Sequence, residues 1–383
     1  MRILVAPSGY KECLLAGEVA AAIAAGLARA CPEAEVTCLP LVDGGEGFTQ
    51  AMTAACGGRL QPERVTGPTG APVEAAWGRV GDTAILDMAS AGGLRLVPRD
   101  ARNPLATTTR GVGELLRAAL DGGARRILLG CGDSGTCDGG AGLAQALGFR
   151  LLDAEGRDLP PGGGALVALD RIETAGRDPR LMGVTVEVAC NTSVKLCGPD
   201  GVSRGFGAQK GASPADIERL EAGLHRLAEV AARDLGAAGL LDLPGGGASG
   251  GLGAGLHAFL GARLRPWAEV TLARLDLDRR LAGADLVLTA EGGLDRQTAR
   301  GKIPAEVARR AGRLGVPVIA LAGALGEGVE ALGLDAHFAS LRGPGGLEQA
   351  MARASADIEA CAEQVLRAVL IGRRMARRGR AAA

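Results

Sequence analysis

The chain has 383 residues, with 43 basic and 43 acidic side chains and a formal net charge of zero. That balance excludes a broad basic field for nucleic acid and a broad acidic field for cations, and the length predicts two domains rather than one core. Nine scattered cysteines without a CxxC pair, and three distant histidines, exclude zinc-ligand spacing and a secreted disulfide framework.

In chain order the predicted elements are strand Arg2–Ala6, helix Ala16–Ala30, strands Glu35–Leu39 and Ala84–Met88, helix Gly111–Leu120, strand Arg126–Gly130, helix Gly140–Leu147 and strand Thr185–Ala189. Helices Ile217–Asp234 and Gly250–Leu260, strand Asp285–Thr289, helix Ala305–Leu314, strand Pro317–Leu321 and helix Leu347–Val369 complete the series. Such alternation predicts an α/β fold with largely parallel sheets. Ser213 as cap, Pro214 at the first helical position and Asp216 in the first turn predict one helix start. His225 falls inside that helical run, which predicts a surface or core role rather than a ligand. Met1 leads directly into a strand and no apolar segment approaches 18 residues free of charge or glycine. The expectation is a cytoplasmic protein, monomer or homodimer, with no membrane or nucleic-acid partner. The basic tail "GRRMARRGR" (Gly372–Arg380) reads as the solvated end of the last helix.

Only four of the basic residues are lysines, Lys11, Lys195, Lys210 and Lys302, and each lies within a few residues of a glycine. Lysine is a compact point charge that can follow a phosphoryl group, whereas arginine imposes a planar fork. Five stretches combine glycine with acids, hydroxyls or lysine. "LVDGGEGFTQ" places Asp43 and Glu46 around Gly44 and Gly45, and "GDSGTCDGGAG" sets Asp133, Ser134, Thr136 and Asp138 before Gly139 and Gly140. "VACNTSVKLCGPDG" contains Asn191, Ser193 and Lys195, and "FGAQKGASP" contains Lys210. "LTAEGGLDRQTARGK" contains Glu291, Asp295, Gln297, Thr298 and Lys302. Carboxylates at strand ends, beside glycine loops and lysines, suit a nucleotide–Mg²⁺ site. A rival reading is a dinucleotide-dependent oxidoreductase, because "GCGDSG" (Gly130–Gly135) matches GxGxxG after a strand and Asp153 follows at the spacing of a ribose-binding acid. Asp133 and Asp138 oppose it, since they would face a pyrophosphate with like charge. A P-loop is excluded, because Ile303 follows Lys302 where Ser or Thr is required.

Taken in order, these stretches resemble the glycerate kinase type-1 family over Met1 to about Val369. "VTGPTGAPVEAAWG", "ILDMASAGGLRLVP", "RNPLATTTRGVGELLRAAL", "FGAQKGA" and "EGGLDRQTARGK" carry the resemblance with them. It implies two α/β domains with the active site in the cleft between them. One would be Rossmann-like with a parallel sheet, built from both chain ends (1–62 plus 281–383), and the other inserted (63–280). It also implies ATP-dependent, Mg²⁺-dependent phosphorylation of a small hydroxy acid, D-glycerate in the family, at the 2-hydroxyl. Lys11 and Lys302 would neutralise the transferring phosphoryl group, and Asp138 would accept or orient the alcohol proton. Asp43, Glu291 and Asp295 would hold Mg²⁺. Gly44, Gly45, Glu46, Gly139, Gly140, Gln297 and Thr298 would bind the nucleotide. Ser8, Ser134, Thr136, Asn191, Ser193, Lys195 and Lys210 would read the acceptor. Ser8, Cys137, Asn191, Val194 and Gly293 depart from the family pattern. Two lost acids and the added Lys195 point to a more anionic acceptor than glycerate. The alternative is a non-catalytic, nucleotide- or metabolite-binding relative.

Overall fold

The structure, a computed structural model, describes residues 1–10, 12–343 and 345–381, and for Arg300 and residues 376–381 it describes the backbone alone. Lys11 and the side chains that end the basic tail therefore lie outside the described residues. The chain forms two compact units, Met1–Val42 with Leu275–Ala383, and Asp43–Arg274. The crossings at Val42 and Arg274 differ from the expected Pro62 and Leu281.

The first unit opens with β1 (Arg2–Val5), α1 (Ala16–Ala30) and β2 (Glu35–Cys38). The second unit then begins with α2 (Phe48–Ala55), the strands β3 (Arg59–Thr66), β4 (Pro72–Val80) and β5 (Thr83–Asp87), and the short α3 (Ala89–Gly92). It continues with α4 (Arg110–Asp121), β6 (Arg126–Cys131), α5 (Ala141–Ala146), β7 (Arg150–Leu152), β8 (Arg171–Glu173) and β9 (Thr185–Cys190). It closes with α6 (Val202–Phe206), α7 (Pro214–Leu235), α8 (Ala248–Leu260), β10 (Arg263–Pro266) and α9 (Trp267–Arg274). The chain returns to the first unit with α10 (Leu277–Ala282), β11 (Leu286–Leu294), α11 (Ile303–Arg313), β12 (Val318–Leu325), β13 (Ala336–Ala339) and α12 (Leu347–Ala381).

The sheet of the first unit is wholly parallel, in the order β13-β12-β11-β1-β2. Numbered within the unit this is the doubly wound order 2-1-3-4-5, whose direction reverses between β1 and β11. Its central strands are apolar because both faces are covered. Ile3, Val5 and Leu288 pack with Ile23 and Leu27 of α1 and Ile358 and Leu366 of α12. On the other face, Ala320 and Ala322 pack with Leu294, Val329 and Leu332.

The second unit carries a six-stranded sheet in the order β10-β9-β6-β5-β4-β3. Strands β10, β9, β6 and β5 are parallel, while β4 and β3 form an antiparallel ribbon at one side. Pairing of β3 with β4 over Arg59–Thr66 is what carries residues 59–66, and α2 before them, into this unit rather than the first. The sheet is thus only partly parallel. The main core gathers Leu86, Leu129 and Val188 with Leu115, Leu116, Leu224 and Leu252 from the helices. Among the described residues, no helix is long and apolar enough to cross a membrane.

Candidate functional site

In an open parallel sheet, ligands bind beyond the carboxyl ends of the strands, where the strand order reverses. In the first unit that point lies between β1 and β11. The turn after β1 is pinned to β11: Ser8 donates its N–H to the Ala290 carbonyl at 2.8 Å, and its hydroxyl donates to the same oxygen at 3.1 Å. The Ser8 hydroxyl is thus committed to backbone. Tyr10 is buried, with its hydroxyl 3.5 Å from Ser340 Oγ, and burial pushes its phenol well above the ordinary range.

Glu291 stands near the carboxyl end of β11, and Lys302 caps the start of α11. Lys302 Nζ donates to Glu291 Oε1 at 2.9 Å, with both side chains partly shielded, and Thr298 Oγ1 lies 3.4 Å from Glu291 Oε2. Asp295 shapes the turn between them, its Oδ1 accepting from the N–H groups of Gln297 (2.7 Å) and Thr298 (3.3 Å). Glu291, Asp295, Gln297, Thr298 and Lys302, chosen from the sequence, therefore form one local group. Within it Asp295 and Gln297 work as parts of a turn, and Thr298 is fully buried.

In the second unit the segment 43–46 lies across the carboxyl ends of β6 and β9. Gly44 has φ 98°, and a Cβ there would sit 2.6 Å from the Ala189 carbonyl oxygen. Gly45 is pressed between two acids: a Cβ would meet Asp133 Oδ2 as well as Asp43 Oδ1, the latter at 3.3 Å. Only glycine fits at position 44, and a side chain at 45 would push the Asp133 carboxylate aside. Asp133 accepts the Glu46 N–H at 3.1 Å from a left-handed conformation (φ 49°), a sparsely populated region for a residue with a side chain. Asp43 accepts the Gly45 N–H at 3.3 Å, and Glu46 pairs with Arg95 at 2.6 Å. Asp87, buried at the end of β5, anchors the start of α2 by accepting from Thr49 N (2.9 Å) and Oγ1 (2.7 Å). Burial raises its carboxyl above the usual range against those hydrogen bonds. Asp133, Arg95 and Asp87 received no site role from the sequence. The signals were an acid inside a glycine turn and an arginine one short helix beyond β5.

The loop 134–140 has turned inward. Lys210, 2% exposed, donates from Nζ to Ser134 Oγ and to the Thr136 carbonyl, both at 2.8 Å. Its ammonium braces this loop, so it does not stand as a mobile cation beside a ligand. Asp138 is fully buried. Its Oδ2 accepts from Thr109 N (2.8 Å), Thr109 Oγ1 (2.9 Å), Gly142 N (3.2 Å) and Thr108 Oγ1 (3.5 Å), and its Oδ1 accepts from Gly140 N (3.2 Å). The carboxylate ties the start of α4 to that of α5. Burial raises its carboxyl against that set of hydrogen bonds. The structure thus corrects the expectation of a base open to an alcohol: Asp138 is a fully buried helix anchor with both oxygens engaged by the chain's own donors. The Gly139 N–H goes to the Gly250 carbonyl (3.1 Å), so neither it nor Gly140 offers a free amide to a phosphate. The loop after β9 does face solvent. Asn191 Oδ1 accepts from Ser193 N (3.0 Å) and Oγ (2.7 Å), and Lys195 is exposed, with no ion pair through its ammonium among the described residues.

The dinucleotide reading fails on geometry. Helix α5 begins at Ala141 rather than directly after Gly135, and a Cβ on Gly132 would lie 2.6 Å from Gly45 Cα. The space that a pyrophosphate would need is filled by the chain's own 44–45 segment.

Fold and site together define a two-unit α/β protein with polar loops at the carboxyl ends of parallel strands. Its sequence matches the model of the glycerate kinase family over residues 3–370. The chain is 44% identical to glycerate kinase of Bacillus subtilis (strain 168), over 98% of this chain and 99% of that protein. It is equally 44% identical to glycerate 2-kinase of Escherichia coli (strain K12), over 98% of this chain and 100% of that protein. A crystal structure of a candidate glycerate kinase 2 from Salmonella typhimurium LT2 is similar with a TM-score of 0.77 and 47% identity, covering 98% of this chain and 99% of that one. The chain belongs to the glycerate kinase family.

Proposed function

We propose that this protein transfers the terminal phosphoryl group of ATP to a hydroxyl of glycerate or a close hydroxy acid. The observation that carries the reading is the Glu291–Lys302 pair, backed by Thr298, at the reversal point of a doubly wound sheet. Phosphoryl transfer has a loose transition state, so positioning and charge neutralisation dominate over covalent chemistry.

The first unit is assigned the phosphoryl end. Lys302, held by Glu291, presents a point charge to the transferring group, and Lys11 is assigned the same task. The donor set fits Mg²⁺, a hard cation that takes one or two carboxylates together with phosphate oxygens. Glu291 would hold it there, and the ion would supply neutralisation of phosphate charge. Asp295, engaged in its turn, supports that group from behind. The second unit is assigned the acceptor. Asp43 and Asp133, both half-buried at the strand ends, replace Asp138 as the carboxylates that orient the alcohol. Asn191, Ser193 and Lys195 lie on the solvent-facing loop after β9 and read the acid.

Exposed Lys195 favours a second reading, in which the acceptor carries an additional anionic group. ATP consumption by purified protein, measured across hydroxy acids of increasing negative charge, separates the two. Glycerate turning over best supports the first reading, and a dicarboxylate or phosphorylated hydroxy acid turning over best supports the second. ATP binding without turnover on any acceptor would instead favour a non-catalytic relative.

A further inference from the structure

Away from the residues assigned to phosphoryl transfer, three donor side chains meet on α7. Glu221 and His225 stand one turn apart on one face of that helix, and Cys197 reaches it from the loop between β9 and α6. One ligand atom from each lies within 4.8 Å of the other two. Cys197 and Glu221 are buried and His225 is exposed. The sequence concealed the group, since Cys197 and Glu221 are 24 positions apart and no short ligand spacing joins them.

A second observation points to a ligand. Glu221 is 7% exposed, and its Oε1 accepts the Gly198 N–H, yet its Oε2 is buried and has no hydrogen-bond partner among the described residues. An unpaired carboxylate oxygen in the interior is unfavourable, and a bound cation would give it a partner. Cys197 Sγ lies 3.9 Å from the Glu221 carbonyl oxygen, against the same turn of α7.

We infer that Cys197, Glu221 and His225 form a binding site for a zinc-like divalent cation. The donors are thiolate, carboxylate and imidazole, the three types that Zn²⁺ takes. Mg²⁺ is disfavoured, because sulfur and imidazole suit a softer ion. Zinc at ordinary bond lengths holds tetrahedral donors about 3.4–3.6 Å apart, so from separations within 4.8 Å the three atoms need close by no more than about 1.4 Å. The exposed side, marked by His225, leaves a fourth position for water. Binding releases the thiol proton to solvent. Because the thiol must lose its proton to bind, affinity rises with pH. The bound ion would tie the 191–201 loop to α7.

The test is Co²⁺ and Zn²⁺ titration of the full-length, chelator-treated protein without nucleotide, beside His225→Ala and Cys197→Ser. The exposed His225 makes its alanine variant harmless to folding, which circular dichroism checks. The expected result is one equivalent of Co²⁺ per chain with a thiolate charge-transfer band in the near ultraviolet, displaced by Zn²⁺. Cys197→Ser should abolish the band, and His225→Ala should weaken binding by at least about tenfold. Zn²⁺ should raise the melting temperature of the wild type and leave that of His225→Ala unmoved. Absence of stoichiometric binding, or binding unchanged in both variants, overturns the site. Phosphotransferase activity is not the readout, so failure here leaves the kinase reading intact.

Discussion

Asp138→Asn separates a helix cap from a catalytic base. The wild-type carboxylate accepts at both oxygens, and an asparagine can present only one. With its carbonyl turned toward Thr109 N and Gly142 N, its amide would face the Gly140 N–H, donor against donor, in a fully buried place. One orphaned backbone donor costs about 1–3 kcal/mol. The four hydrogen bonds to the other oxygen fall from charge-assisted to neutral strength, a loss of about 0.5–1 kcal/mol for each of the three shorter ones and less for the 3.5 Å contact from Thr108. Relief from burying a charge offsets part of this, because burial already holds that carboxyl above its usual range. The balance is a destabilisation of about 2–4 kcal/mol, read as a lower urea midpoint at constant slope. The fraction that remains folded should keep kcat within a few-fold of wild type. A variant of unchanged stability with turnover lost by about 100-fold or more would refute the cap and restore Asp138 as the base.

Lys302→Ala should lower kcat by at least about 100-fold, the scale of one transition-state charge contact, with little change in KM for the acceptor; turnover near wild type would remove Lys302 from the chemistry. Glu306→Gln tests the start of α11, where Arg309 and Arg310 reach Glu306 at 2.5–2.8 Å. Burial there opposes the charged form, but the two guanidinium groups outweigh it and hold the carboxyl below its usual value. A carboxyl lowered in the folded state stabilises above its unfolded pKa, and that contribution is lost as pH falls through the folded value. The variant should therefore be less stable by about 1 kcal/mol at pH 7 and indistinguishable from wild type in acid below both values; a difference that persists in acid would contradict the sign. Lys210→Met should destabilise through Ser134 and Thr136 before it alters KM, and a raised KM at full stability would return Lys210 to the acceptor.

The alternating α/β pattern was legible because strands covered on both faces read as short apolar runs, as in Ile3–Val5 and Leu286–Leu288. The start of α7 was legible from Ser213 and Asp216, which bond reciprocally. The β3–β4 ribbon was not, because β3 reads "RLQPERVT" and is largely exposed, without a clear apolar face. The contact between Glu291 and Lys302 was legible because both belong to one loop and helix start. Asp138 misled because "DGG" before a helix is equally the mark of a cap and of a phosphate loop. Only the partners at Thr109 and Gly142 decide between them, and Thr109 is remote in sequence. Lys210 misled for a related reason, since a glycine-flanked lysine carries no sign of whether its ammonium is buried.

Phosphorus NMR of the purified protein with ATP, Mg²⁺ and D-glycerate tests the kinase claim most directly. A phosphate-ester resonance should grow in step with ADP, and should be lost in Lys302→Ala. ADP released with inorganic phosphate alone, or no turnover of glycerate or any other hydroxy acid by a folded and nucleotide-binding protein, would contradict the claim.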